Sequence, residues 1–311
     1  MSESQAFFFS GQGSQSKGML ADFLATEEVV QRTFEEASDA LGYDMKALVL
    51  DDAQEQLNQT EYTQPALLTA STALFRAWQA RGGAMPAHMA GHSLGEYSAL
   101  VAAQVLNFSD AVTLVAFRGR AMTSAVPAGV GKMAAIIGLD DAMVDELCQS
   151  ASNDDTKVWA ANLNCPGQCV VAGHAAAVER LMGLAKDAGA KRALPLAVSA
   201  PSHTPLMQPA ADAMSEALQG VSFSAPQAQV WSNARACALT DVNAMRTALV
   251  AQLVQPVRWT ESVQAMSDLG VASGVEMGPG KVLSGLVRRI AKTLKVASVL
   301  TPDLMDKAVQ L

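Results

Sequence analysis

Short apolar runs alternate along this chain with longer stretches in which apolar positions recur every three or four residues, the patterns of buried strands and of amphipathic helices. Their alternation predicts an α/β fold around a parallel sheet. Ala6–Ser10 reads as a strand that breaks into the loop Gly11-Gln12-Gly13. Gln64-Pro65 opens a helical stretch running to about Arg81, with the proline in the first turn, where its missing N–H costs little. Ala87–Gly91 reads as a short buried strand and Ser93 to about Val105 as a helix. Ser109 or Asp110 can cap the next helix, which runs to about Met122.

Between about Val126 and Val198 the texture changes. Lys132–Leu139 is strand-like, Asp140–Ser150 helical, and Val158–Asn162 and Gln168–Ala172 are strands about the turn Asn164-Cys165-Pro166-Gly167. Ala175–Ala188 is helical and Ala193–Val198 is a final strand. The order β-α-β-β-α-β is the ferredoxin-like pattern. It predicts a small ferredoxin-like domain, residues 127–198, inserted into a discontinuous large α/β domain made of residues 1–126 and 199–311. Gln229–Ser232 and Ser273–Met277 are expected as further strands of the large sheet.

Composition narrows the function. Half of the 311 residues are hydrophobic, enough for a sizeable core. No uninterrupted apolar run approaches the ~18–20 residues of a membrane span, and Met1-Ser-Glu-Ser-Gln-Ala lacks the positive start of a secretory signal. No membrane association is expected. A net charge of -8 argues against nucleic-acid binding, which needs a basic surface. Cys148, Cys165, Cys169 and Cys237 form no C-x-x-C pair and no zinc spacing, so no metal site is expected, and free thiols in a reducing cytoplasm fit them.

The candidate chemistry centres on Gly91-His92-Ser93-Leu94-Gly95. Gly-x-Ser-x-Gly between a strand and a helix is the pattern of a nucleophile elbow, whose glycines permit a sharp turn and whose serine stands at a helix N-terminus. The pattern alone also fits a capping serine in a tight turn. A serine nucleophile needs a base, and the chain has four histidines. His88 and His174 read as structural or surface residues, and His92 adjoins Ser93 on a turn where neighbouring side chains diverge. His203, in the proline-bracketed loop Pro201-Ser202-His203-Thr204-Pro205, is the candidate base, and a solvated loop histidine is the alternative. No Asp or Glu lies near it in sequence, which points to a serine–histidine dyad with a carbonyl or amide oxygen holding the imidazole. Gly11-Gln12-Gly13-Ser14-Gln15 fails the phosphate-loop patterns but can offer backbone N–H groups to an oxyanion.

Seven segments, in order along almost the whole chain, resemble the malonyl-CoA:acyl-carrier-protein transacylase family. They are Phe-Ser-Gly-Gln-Gly-Ser-Gln (9–15), Tyr-Thr-Gln-Pro-Ala (62–66), Gly-His-Ser-Leu-Gly-Glu-Tyr-Ser-Ala-Leu (91–100), Arg-Gly-Arg-Ala-Met (118–122), Ala-Pro-Ser-His (200–203), Gln-Leu-Val-Gln-Pro-Val-Arg-Trp (252–259) and Glu-Met-Gly-Pro-Gly-Lys-Val-Leu (276–283). The resemblance implies that Ser93 attacks the malonyl thioester and that His203 shuttles the proton. It implies an oxyanion hole from the N–H groups of Gln12 and Leu94, a grip on the malonyl carboxylate by Arg118, and orientation of His203 by the main chain of Gln252. It further implies a hydrolase-like fold for the large α/β domain, malonyl-CoA as substrate with no cofactor, an acyl carrier protein as acceptor, fatty-acid synthesis as the setting, and a monomer. A discrete acyltransferase serving a polyketide synthase would use the same residues, and a serine thioesterase would share the elbow.

Lys281, Arg288, Arg289, Lys292 and Lys295 lie in a stretch free of acids. On a helix Arg288, Lys292 and Lys295 would share one face, a solvated surface or a docking patch for an acidic carrier protein.

Overall fold

The computed structural model of the chain describes residues 4–198 and 200–310. The N-terminal reading falls partly on residues 1–3, and the second domain boundary touches Ser199; these positions lie outside the described residues.

Two sheets organise the described residues. The larger contains β1 (Gln5–Phe9), β2 (His88–Gly91), β7 (Gln229–Ser232), β8 (Cys237–Leu239), β9 (Ser273–Met277) and β10 (Lys295–Ser298), in the order β10-β9-β1-β2-β7-β8. Every pairing is parallel except the β7–β8 hairpin. The smaller sheet contains β3 (Gly131–Ile137), β4 (Val158–Cys165), β5 (Gln168–His174) and β6 (Arg192–Pro195), in the antiparallel order β4-β5-β3-β6 with helices Asp141–Ala151 and Ala175–Asp187 between its strands. This is the βαββαβ arrangement expected of residues 127–198.

The run Phe7-Phe8-Phe9 is apolar throughout because β1 is central and covered on both faces. Phe7 meets Trp78 edge-on at 5.1 Å on one side, and Phe8 meets Trp259 at 5.9 Å on the other. The small sheet is tied to the large one by main chain. Leu163 N–H donates to the Val257 carbonyl and Val257 N–H to that of Ala161, each at 2.9 Å.

Three expectations need correction. The helix expected from Gln64 spans Thr60–Ala80, so Pro65 is its sixth residue and not in its first turn. The proline costs the bond that would reach the Glu61 carbonyl, and the helix persists because Pro65 and the residues after it are buried. The helix expected from Ser93 spans Gly95–Ala102, and Ser93 stands outside it. The basic stretch is not one helix: Val282–Ile290 is helical, Ala291 is extended, and Lys295 begins β10. Buried Leu294 and the pairing of Lys295 with Ser273 override the helical periodicity there. The β7–β8 hairpin and β10 are short and half-exposed, which hid β8 and β10 from periodicity.

β1, β2 and β9 all end at the same edge of the large sheet, and the loops that leave these ends, with one face of the small sheet, enclose a crevice. Crevices at the carboxyl ends of parallel strands are the usual ligand sites of open α/β sheets.

Candidate active site

The chain leaves β2 through a turn so tight that its glycines are steric necessities. A Cβ on Gly91 would lie 1.8 Å from the Gly95 carbonyl carbon, and one on Gly95 would lie 2.0 Å from the Phe9 carbonyl oxygen. Between them Ser93 takes a left-handed backbone, φ +51°, a conformation that costs a non-glycine residue roughly 1–3 kcal/mol. Its peptide groups are held on both sides. Ser93 N–H donates to Asn233 Oδ1 at 2.6 Å, and the Ser93 carbonyl accepts from Gln252 Nε2 at 2.9 Å. Asn233 Nδ2 in turn donates to the Gly91 carbonyl at 2.7 Å.

The turn projects Ser93 Oγ toward His203, whose backbone is also left-handed at φ +63°. Ser93 Oγ lies 2.8 Å from His203 Nε2, and His203 Nδ1 donates to the Gln252 carbonyl at 2.6 Å. A carbonyl only accepts, so Nδ1 carries the proton and Nε2 is left with its lone pair toward the serine. Burial, reinforced by the positive charge of Arg118, pushes the His203 imidazole down to about 3. The resting base is therefore neutral and ready to take a proton. The structure thus brings Ser93 and His203 together and sets a main-chain carbonyl, not a carboxylate, against the imidazole.

The remaining histidines are engaged elsewhere. His92 Nε2 is 2.8 Å from Asn164 Oδ1 of the small sheet. His88 Nδ1 accepts from Trp231 Nε1 at 3.2 Å, and His174 Nδ1 accepts from the Lys157 N–H at 2.9 Å.

Arg118 reaches the site from helix Phe108–Ser124. The next residue is Gly119, where a Cβ would come within 2.7 Å of Glu61 Cα and of the Thr60 carbonyl oxygen. This close helix crossing sets Arg118 beside Gln64. The side chain is 1 % exposed and lies over the Tyr97 ring. Nη1 donates to Gln64 Oε1 and Nη2 to Gln252 Oε1, each at 2.8 Å, and Nη2 is 3.3 Å from Ser93 Oγ. Among the described residues no carboxylate lies within ion-pair distance of it, and its Nε has no partner. A buried guanidinium held by two amide oxygens and the Ser93 hydroxyl is able to receive a carboxylate bidentately.

Gln12 and Leu94 flank Ser93. Gly11 packs against the elbow so closely that a Cβ there would lie 2.3 Å from the His92 carbonyl oxygen. Leu94 caps helix Gly95–Ala102 at its N-terminus. Among the described residues neither the Gln12 nor the Leu94 N–H donates a hydrogen bond, and both residues line the cavity. Two free N–H groups beside a nucleophile can take up a developing oxyanion. The cavity, about 560 Å³, opens between the sheets, with Met133, Asn162, Asn164, Val170 and Leu196 on the small-sheet side.

Three further residues complete the site: Gln64, Glu96 and Asn233. Gln64 and Glu96 lie inside segments that carry the family resemblance, beside Pro65 and after Gly95. Asn233 follows β7 and has no local sequence signal. Glu96 Oε2 accepts from Gln252 Nε2 at 2.7 Å and from Asn233 N–H at 3.0 Å. Burial pushes its carboxyl up to about 7, with those donors and Arg118 acting in the other direction.

The basic residues do not gather at this site. Arg289 is bound to the small sheet through Gln168 Oε1 and the Pro166 carbonyl. Lys295 pairs with Ser273 at the start of β9, the sheet edge away from the crevice, and Lys292 lies just before it. Arg288 is exposed in the last turn of a helix whose first residues, Val282 and Leu283, line the cavity. Among the described residues no cluster of His, Cys, Asp and Glu could hold a metal ion.

A neutral histidine against a serine on a strained elbow, within an α/β sheet, is a geometry shared by serine hydrolases and acyltransferases, and residues 6–308 match the family described as the acyl transferase domain, which makes the protein an acyltransferase. The malonyl CoA-acyl carrier protein transacylase of Escherichia coli (strain K12) is 54% identical over 306 residues, covering 98% of this chain and 99% of that protein. The solved malonyl CoA-acyl carrier protein transacylase of Coxiella burnetii superposes with a TM-score of 0.97 at 46% identity, covering 99% of this chain and 97% of that one. A malonyl-transacylase in complex with a type II polyketide-synthase acyl-carrier protein matches with a TM-score of 0.96 at 50% identity, covering 99% of both chains. The chain belongs to the malonyl-CoA:acyl carrier protein transacylase family.

The buried, neutral His203 has a kinetic signature. The acid limb of kcat/KM for malonyl-CoA, which reports the free enzyme, should fall below about pH 5. A limb at the ordinary imidazole value of 6.5 that persists in Glu96→Gln, which removes the carboxyl that titrates at about 7, would show that the base is solvated. A pH series of initial rates decides this.

Proposed function

We propose that this acyltransferase moves the malonyl group of malonyl-CoA to the phosphopantetheine thiol of an acyl carrier protein by a ping-pong mechanism, in the reducing cytoplasm. The observation that carries the proposal is Arg118, a buried cation without a carboxylate partner among the described residues, 3.3 Å from the nucleophilic oxygen. A malonyl thioester brings a carboxylate to that cation, and an acetyl thioester does not.

In the proposed reaction Ser93 Oγ attacks the thioester carbonyl while His203 Nε2 takes its proton. The N–H groups of Gln12 and Leu94 hold the oxyanion. Collapse breaks the C–S bond, and the CoA sulfur leaves with the proton from His203. The carrier thiol then attacks the malonyl ester, giving its proton to His203, and Ser93 leaves with that proton. Pairing of the malonyl carboxylate with Arg118 cancels part of the charge that suppresses His203, so the base strengthens when the correct donor is bound. The names of the bacterial relatives support an acyl carrier protein as acceptor, and the proposed setting is fatty-acid synthesis. The relative in complex with a type II polyketide-synthase carrier supports a polyketide carrier as a second acceptor.

Arg118→Ala should lower malonyl transfer by about a hundredfold or more, the loss of a charge-assisted bidentate contact in a dry site, and raise the relative use of acetyl-CoA. Unchanged preference in paired transfer assays would mean that the carboxylate is read elsewhere.

For the carrier, the docking proposal narrows to Arg288, with Lys281 and the half-exposed Val282 nearer the cavity mouth. Arg288→Glu should raise the carrier protein KM severalfold and leave the malonyl-CoA half-reaction unchanged, whereas Lys295→Glu, at the far edge of the sheet, should alter neither. Equal effects of the two substitutions would remove this docking surface.

A further inference from the structure

We propose that Glu96 is a positioning residue for acyl transfer, setting the Gln252 side chain and Asn233 so that nucleophile, base and cation share one geometry. The proposal rests on the reading of Ser93 as nucleophile.

Gln252 binds His203, Arg118, Ser93 and Glu96 at once. Its carbonyl holds His203 Nδ1, its Oε1 accepts from Arg118 Nη2, and its Nε2 donates to both the Ser93 carbonyl and Glu96 Oε2. An amide can be turned end for end with little change of shape. Here one end faces Arg118, which only donates, and the other faces a carboxylate oxygen at 2.7 Å, which accepts. Glu96 thus supplies a strong acceptor that, with the Ser93 carbonyl, holds the NH₂ end in place. A turned amide would set Oε1 against two oxygens and Nε2 against a guanidinium.

The same carboxylate oxygen accepts the Asn233 N–H at 3.0 Å. Asn233 is the residue whose side chain bridges Ser93 N–H and the Gly91 carbonyl. One oxygen atom therefore steers two clamps, one on each side of the Ser93 peptide groups. Glu96 is 3 % exposed, and Gln252 and Asn233 are buried as well, so water has little access to replace the carboxylate. Glu96 touches neither Ser93 Oγ nor His203, so it acts through its neighbours rather than on the substrate.

The test uses the full-length chain and the rate constant of Ser93 malonylation in a single turnover at saturating malonyl-CoA. Glu96→Ala leaves two buried donors without an acceptor, and should slow the step about ten- to a hundredfold. It should also narrow the preference for malonyl-CoA over acetyl-CoA, because Arg118 loses its oriented amide. General loosening of the fold would reduce active enzyme without changing that preference. Glu96→Gln, which keeps an acceptor oxygen of the same reach, should recover most of the rate and the preference. Glu96→Asp withdraws the acceptor by one methylene while keeping the charge, and should stay slow, which preserves the test if the alanine variant does not fold. Wild-type rate and preference in a folded Glu96→Ala or Glu96→Asp protein, or a Glu96→Gln protein as slow as the alanine variant, would overturn the proposal. Ser93→Ala run alongside separates the two readings: malonylation surviving in that variant would sink the nucleophile and this inference together, whereas an inert Ser93→Ala beside a normal Glu96→Ala would sink this inference alone.

Discussion

The structure depends on one backbone conformation, the left-handed turn at Ser93. A serine at φ +51° is unfavourable by itself, and the chain keeps it by closing every alternative. Gly91 and Gly95 lie so near their neighbours that no side chain fits, and Gly11 presses the first loop against the same turn. Asn233 and Gln252 hold the Ser93 N–H and carbonyl. The turn frees Oγ from the helix that follows and directs it at His203. It also leaves the Leu94 N–H, at the head of helix Gly95–Ala102, without an acceptor among the described residues.

The second organising feature is a buried positive charge that no carboxylate neutralises at ion-pair distance among the described residues. Arg118 donates hydrogen bonds from both Nη1 and Nη2, but its charge is not paired. Burying such a group is costly, and the fold spreads the cost over Gln64, Gln252, the Tyr97 ring and, at longer range, Glu96. That charge also helps to hold His203 neutral. Substrate selection and base strength are therefore linked through a single guanidinium in the proposed reaction.

Much of the fold is legible in the sequence where local pattern and tertiary packing agree. β7 and β9 fall on the residues that the apolar runs indicate, and the βαββαβ insertion follows its alternation. The misses have physical causes. Pro65 looks like a helix start because local chemistry favours it there, yet burial extends the helix back to Thr60. Lys281–Lys295 keeps helical periodicity across a boundary that strand pairing imposes from Ser273. In the site, Ser93 and His203 announce themselves by motif and by the scarcity of histidines. The weight on Arg118 comes from family resemblance, since a helix arginine has no signature of burial. Asn233 gives no signal because its role exists only when β7 lies beside β2.

The central claim is that Ser93 carries the malonyl group as an ester between the two half-reactions. Intact-protein mass spectrometry after mixing the chain with malonyl-CoA, without carrier protein, tests it directly. The expected result is a mass gain of one malonyl group, mapped to the peptide containing Ser93, absent in Ser93→Ala and lost when a carrier protein bearing phosphopantetheine is added. No adduct on the wild-type chain, or an adduct that persists in Ser93→Ala, would contradict it.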